Sequence, residues 1–376
     1  MASFFDEDNK VAGRRPKLIL FGAVALSIAF VLFIVLSRWN YKTYQIKYGD
    51  DDENILAYEY YAFNGDVLKV ASDTASYIDD NNNAFWTVAY SMTQPKAVFS
   101  GSAAAIYDLD GNTVVVCNAG GPVTTVKTSM PVVKAAVSER GGAAVILDDG
   151  TDAWIEYYDQ TGARISSIKT TMDDTGYPFD LALSPNGKMM AVSYMCYEDS
   201  QMTTRMRFYN FGEEGKEKRD NLYASFSYSG MLIPQVEYLS SDICLALTDD
   251  GAVIYKGLEN PKEKTVISEN GLVISTIING STFGLVVSED GEIRLHMYNS
   301  TGRLLFNKNI ELAYTSIYAA GSDIVFYNRN QITVFSDNGS TKFEGAAEEL
   351  IRDIVPVGNN RFVLITEEGF RLISLA

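Results

Sequence analysis

The sequence predicts an all-β fold: a β-propeller of eight four-stranded blades, with seven as the alternative, preceded by one transmembrane helix. Three observations lead there. Turn signals repeat at intervals near 40 residues, the composition favours strands, and a single uncharged apolar run lies close to the N-terminus. The 376 residues include 23 Tyr and 19 Phe but only nine Pro, and Val, Ile and Thr recur throughout, as strands require.

From residue 55 onward, apolar runs of strand length alternate with turn residues, and no long segment of helical period intervenes. Tight hairpin signals end at Gly111, Gly150, Gly251, Gly291, Asn330 and Gly369, with spacings of 39, 101, 40, 39 and 39 residues. The spacing of 101 reads as two periods plus an insertion. Asp-Gly and Asn suit such turns because a two-residue hairpin needs positive φ, which Gly, Asn and Asp adopt at least cost.

Each of these turns leads into a further strand ending in a bulky or apolar residue. Aligning that third strand of every unit gives Ile78, Cys117, Tyr158, Tyr209, Tyr255, Tyr298, Phe335 and Ile373. Eight such positions predict eight blades, each able to bury its faces only by stacking on its neighbours. An irregular first unit around 55–90 would leave seven. The last unit, 350–376, has room for three strands only, and the alternating segment 41–48 (YKTYQIKY) is predicted to supply the fourth and close the ring.

The fourth unit is longer than the rest. It opens on Ser184-Pro185-Asn186-Gly187, a turn resembling the Ser-Pro-Asp-Gly turn of many bacterial propellers. Two polar stretches, 197–204 and 212–221, are then predicted as inserted loops. Loops that exceed a repeat are where a rigid scaffold carries recognition. Tyr197, Glu198, Asp199, Glu213, Glu214, Lys216 and Arg219 are therefore the candidate recognition residues, although the charged run 212–221 also suits a solvated spacer.

Ahead of the repeats, Leu18 to Leu36 form nineteen residues without a charge. A helix of that length covers about 28 Å, close to the ~30 Å hydrocarbon core of a bilayer. A cleaved signal peptide has a shorter apolar core and a small-residue cleavage site, whereas here Ser37-Arg38-Trp39-Asn40-Tyr41 follows. Trp39 and Tyr41 suit interfacial anchoring, and Arg38 can snorkel. The expected organisation is a cytoplasmic tail over 1–17, a transmembrane helix over 18–36 and a propeller domain over 41–376. Four basic residues precede the helix and three follow it closely, so the positive-inside rule narrowly favours a plasma-membrane protein with a cytoplasmic N-terminus and an extracellular propeller.

Charge narrows the partners. Five basic and three acidic side chains lie in the first forty residues, so the remainder carries the whole formal charge of −17 and two units more. Such a domain repels nucleic acid. Cys117, Cys196 and Cys244 are too few and too scattered for a disulfide framework and read as small core residues.

Three stretches carry a family resemblance: Asn83-Ala84-Phe85-Trp86, Thr175-Gly176-Tyr177-Pro178-Phe179-Asp180 leading into LALSPNG, and Arg207-Phe208-Tyr209-Asn210-Phe211-Gly212. Over nearly its full length the chain resembles a family of uncharacterised single-pass membrane proteins of Gram-positive anaerobic bacteria. These join a basic-flanked anchor to a quinoprotein-like or WD40-like propeller. The resemblance implies an architecture and no activity. An eight-unit ring is also similar to quinoprotein dehydrogenases and to outer-membrane assembly scaffolds, but the repeated Trp-docking motif of the former has only Trp86 near an equivalent position, so no quinone cofactor is expected.

No catalytic set stands out. His296 is the only histidine, which excludes an imidazole-dominated metal site. By strand alternation it shares a face with Arg294 and Tyr298, as a solvent-facing or hydrogen-bonded residue. The acidic clusters 50–53 and 79–80 lack the spacing of a calcium loop and read as solvated turns. No phosphate-binding loop or nucleophile elbow is present. The expected function is a non-catalytic binding or scaffolding module at the cell envelope, tethered by the helix and meeting a protein or glycan partner. The alternative is a carbohydrate-active hydrolase using two acids brought together in the central channel.

Overall fold

The computed structural model describes residues 40–172, 175–198 and 201–376. The expected tail and transmembrane helix, with Leu18, Leu36 and Trp39, lie outside the described residues, as does Asp199. Among the described residues no helix is long and apolar enough to cross a membrane.

Eight four-stranded antiparallel sheets make up the domain, so the alternative of seven is set aside. Blades 1 to 7 are consecutive in sequence. Their inner strands are Glu59–Phe63, Pro95–Ser100, Val132–Val137, Tyr177–Leu183, Gln235–Ser240, Leu272–Asn279 and Ser316–Ala320. Blade 8 has Ile351–Gly358 innermost, then Arg361–Thr366 and Gly369–Leu375, and its outer strand is Tyr44–Asp51 from the other end of the chain. That closing strand lies three residues beyond the expected segment 41–48. Tyr44 pairs with Leu375 and Asp51 with Gly369.

All eight aligned positions fall on third strands and are buried. Their role is specific. In each of blades 1 to 7 the register between third and fourth strand shifts at this residue, leaving one extra residue unpaired on the outer strand. In blade 1, for instance, Tyr77 pairs with Trp86 and Ile78 with Ala84, so Phe85 is the bulge. Blade 8 repeats this with the bulge at Lys47 of the closing strand. Bulges blunt exposed sheet edges, and here every outer edge carries one. In blades 1 and 3 the next residue is an Asp that caps the following turn: the Asp79 carboxylate accepts from the backbone N–H of Asn81 and Asn83, and that of Asp159 from Thr161 and Ala163. Asn299 does the same in blade 6.

Apolar packing follows the ring. Among the described residues eight buried clusters occur, one at each junction between neighbouring blades, and the cluster joining blades 7 and 8 also takes in Tyr41 and Tyr44. All three cysteines are reduced and buried, Cys117 and Cys244 within these clusters and Cys196 on the second strand of blade 4, and burial pushes the Cys117 thiol up to about 12.

Because the strands of each blade run antiparallel in order, the turns joining strands 1–2 and 3–4 share one face of the ring. The 2–3 hairpins and the blade-to-blade connections share the other. The chain enters at the first of these, since the closing strand starts opposite Leu375. We call this the entry face and its opposite the distal face. Tyr41, expected at a membrane interface, is docked on the domain: its amide donates to the Lys342 carbonyl at 2.8 Å and its hydroxyl accepts from Asn360 Nδ2 at 2.9 Å.

Candidate functional site

Blade 4 is where the ring departs from its repeat. Its second and third strands, Met189–Glu198 and Gln201–Asn210, are ten residues each and form a long hairpin on the distal face. The stretch 197–204 is therefore not the loop expected from its polarity. Tyr197 pairs with Met202 and Glu198 with Gln201, so the strands continue almost to the tip. Thr203 and Thr204 are buried, and the Thr204 hydroxyl donates to the Met231 carbonyl at 2.7 Å. Polar residues satisfied in this way extend a strand while matching the composition of a loop. Tyr197 is 67% exposed, the highest value among the exposed large hydrophobic residues.

The second insertion lies on the opposite face. Residues 212–221 join the third and fourth strands of blade 4 and contain two short 3-10 turns, Glu213–Gly215 and Arg219–Asn221. Asn210 organises it, its side-chain oxygen accepting from Gly212 N–H at 2.7 Å and its amide donating to the Glu259 carbonyl at 3.1 Å. Glu213 and Lys216 form an exposed ion pair at 2.5 Å, and Glu214 accepts from the Tyr223 hydroxyl at 2.9 Å. Arg219 extends into solvent beside Asp220. The seven candidate recognition residues thus separate into two groups, and the structure does not bring those groups together.

Between the faces runs the channel. Its wider sector is a cavity of about 790 Å³ against the inner strands of blades 2 to 6. Buried Asp180 there meets Lys134 Nζ at 2.8 Å and accepts from Val236 N–H at 2.7 Å. Glu237 lies nearby on the inner strand of blade 5. Loss of hydration, then the negative field of Asp180, pushes its carboxyl up to about 7. Asp180 is shifted upward too, with burial outweighing Lys134. Sequence reasoning missed this trio, because nothing in three separate strands announces that Lys134, Asp180 and Glu237 meet.

A narrower recess of about 160 Å³ occupies the other side, against blades 7, 8 and 1. Four tyrosines line it with Glu59, Arg352 and Asp353. Glu59 accepts from Lys96 at 2.9 Å and from the Tyr61 hydroxyl, while Asp353 accepts from the Tyr327 hydroxyl at 2.7 Å.

The remaining sequence candidates serve the scaffold. His296 Nδ1 lies 2.9 Å from Glu269, which also accepts from the Tyr298 hydroxyl at 2.6 Å. Asp52 pairs with Lys69 and Asp80 with Arg361. Among the described residues, no group of three or more His, Cys, Asp or Glu side chains is placed to hold a metal ion.

The family described as DUF5711, of unknown function, matches residues 37–375. Among solved structures the chain is similar to BamB from Moraxella catarrhalis, with 12% identity and a TM-score of 0.55 over 89% of this chain and 100% of that one. It is also similar to Hsv2 from Kluyvelomyces marxianus, with 13% identity and a TM-score of 0.50 over 72% of this chain and 89% of the other. These are likenesses of fold. None of the curated proteins matches the chain.

Proposed function

Because the chain belongs to the DUF5711 family of unknown function, we propose from its own geometry that it is a membrane-anchored, non-catalytic scaffold of the cell envelope whose distal face engages a protein partner. One observation carries this reading. The chain enters the ring on one face, and the long blade 4 hairpin with exposed Tyr197 projects from the opposite one. The uncharged segment 18–36 ends four residues before Asn40, so a bilayer holding it lies on the entry side. The hairpin then faces away from the lipid, where a partner has free approach. Residues 1–17 are assigned to the cytoplasm and the propeller to the outside of the plasma membrane.

An exposed tyrosine on the long hairpin is a suitable anchor for a protein interface, offering large contact area at low entropic cost. The insertion at 213–219, by contrast, is charged, internally paired and turned toward the entry side. It is assigned a spacing role.

The test has two parts. Protease applied to intact cells is expected to remove the propeller from outside, whereas protection until lysis would invert the topology. A photocrosslinking residue at position 197 is expected to yield a discrete protein adduct in native membranes, and the same residue at position 219 to yield none. Adducts at 219 alone, or at neither position, would refute the assignment of the distal hairpin.

A further inference from the structure

Every outer strand carries its bulge within its first four residues on the entry side, so the bulged side chains lie at one level around the rim of the ring. Four of them are Phe85, Val123, Ile165 and Leu305, between 40% and 59% exposed. The others are Tyr223, Lys47, Lys264 and Lys342, the last of these held by Asp323. None is acidic, in a chain with 48 acidic and 31 basic residues. Ile46 of blade 8 and Leu258 on the 3–4 turn of blade 5 add exposed apolar side chains at the same end.

A lone exposed apolar side chain is ordinary on any surface, and a lysine on an edge strand blunts unwanted pairing. Apolar bulges do not blunt an edge, and here they recur at one level in blades 1, 2, 3 and 6. Charge divides between the faces in the same sense. Among the described residues, the distal hairpins and blade connections hold fifteen acidic side chains and one basic, Arg329, whereas the entry-side turns together with residues 40–43 hold eleven acidic and seven basic. Lipid phosphates therefore repel the distal face strongly and the entry face far less.

Single apolar residues spread over most of a circumference suit a planar, fluid surface, because a globular partner would reach only one arc of the ring. The step of four residues from Leu36 to Asn40 spans at most about 14 Å. It holds blade 8 close to the end of segment 18–36 and leaves the far side of the ring untethered. We propose that the entry-side rim rests on the surface of a phospholipid bilayer, with Phe85, Val123, Ile165 and Leu305 among the headgroups and upper acyl chains, and Lys47 and Lys264 toward lipid phosphates. Apolar and aromatic side chains interspersed with lysine are the composition of such an interface. The inference rests on the membrane-anchored reading above and adds that the ring lies flat on the lipid and does not swing on its tether.

The full chain in nanodiscs of phosphatidylcholine with phosphatidylglycerol tests it. A cysteine-linked fluorophore is placed at position 85, 165 or 305 on the rim, or at 197 or 290 on the distal face, the three native cysteines being buried. Lipid carrying a spin label near its headgroup is expected to quench the rim positions roughly twofold more than the distal ones. Phe85→Ser combined with Val123→Ser, both at exposed positions, should lower the quench at 165 by roughly half, while the chain stays in the nanodisc and its thermal midpoint moves little. Rim and distal labels quenched alike, or a rim quench indifferent to the double substitution, would overturn the inference and leave the anchor standing. A chain that does not stay in nanodiscs would remove the anchor itself, and the rim contact with it.

Discussion

Blade 8 and blade 4 depart from the repeat in opposite ways. Blade 8 is assembled from two distant chain segments, yet its register matches the others, including a bulge on the outer strand at Lys47. Blade 4 is continuous in sequence, yet its hairpin is twice the length of some of its counterparts and an insertion interrupts its outer edge. The difference separates two kinds of constraint. Packing between blades fixes what closes the ring, so covalent continuity can be broken there without changing the geometry. Segments that project beyond that packing are free to vary, and both elaborations of blade 4 project, one from each face.

The sharpest way to break this comparison is to cut the same kind of contact in both blades. Phe370 in blade 8 packs edge-on against Tyr48 of the closing strand, and Phe208 in blade 4 packs against Phe226 and Tyr255. Both are fully buried. Phe370→Ala and Phe208→Ala should each cost about 3–5 kcal/mol in urea unfolding. Only the first should also raise amide exchange across Tyr44–Asp51, because it loosens the strand that closes the ring. Equal exchange in both variants would mean that closure is not a local property of blade 8.

A smaller effect separates the channel sides of the two blades. Asp353 of blade 8 is bonded by a tyrosine hydroxyl, whereas Asp180 of blade 4 shares Lys134 with the field of Glu237. The Glu237 carboxyl is held at about 7 in the folded protein, above its ordinary value of 4.5. A raised acid binds its proton more tightly when folded, so stability is greatest at low pH and declines as pH rises from about 4.5 to about 7. Glu237→Gln should therefore flatten this decline, gaining about 1–3 kcal/mol near pH 8 and little near pH 4. A variant equally stabilised at both pH values would show that the cost is packing and not charge.

The fold was legible because its determinants are local and repeated. Tyr158, Tyr209, Tyr255 and Tyr298 mark the bulge of their own blades, and Asp79, Asp159 and Asn299 cap the turn that follows, so each unit announces its own boundary. The hairpin at 197–204 was misread because Thr203 and Thr204 are polar residues whose environment is supplied by neighbouring chain, which composition cannot reveal. The channel groups were illegible for a stronger reason. Lys134 and Asp180 are 46 positions apart, and Arg352 and Glu59 almost 300, so their meeting is a property of the closed ring.

The smallest expected effect concerns whether the entry-side insertion of blade 4 is truly held by the blade. Gly215 is buried, and a side-chain carbon there would lie 1.7 Å from the Asn210 carbonyl oxygen, a backbone atom that cannot swing aside. Gly215→Ala should consequently displace the 3-10 turn at 213–215 and break the bond from Gly212 N–H to Asn210, at a cost of about 1 kcal/mol. The interblade clusters lie elsewhere, so the unfolding midpoint should move only slightly while amide exchange at Gly212 and Gly215 rises. If exchange there were already fast in the parent protein, the insertion would be a free spacer and not a part of the blade. Protected amides would instead mean that blade 4 presents a fixed surface at both faces, and the entry-side charges of Glu213, Lys216 and Arg219 would be held at a set position below the ring.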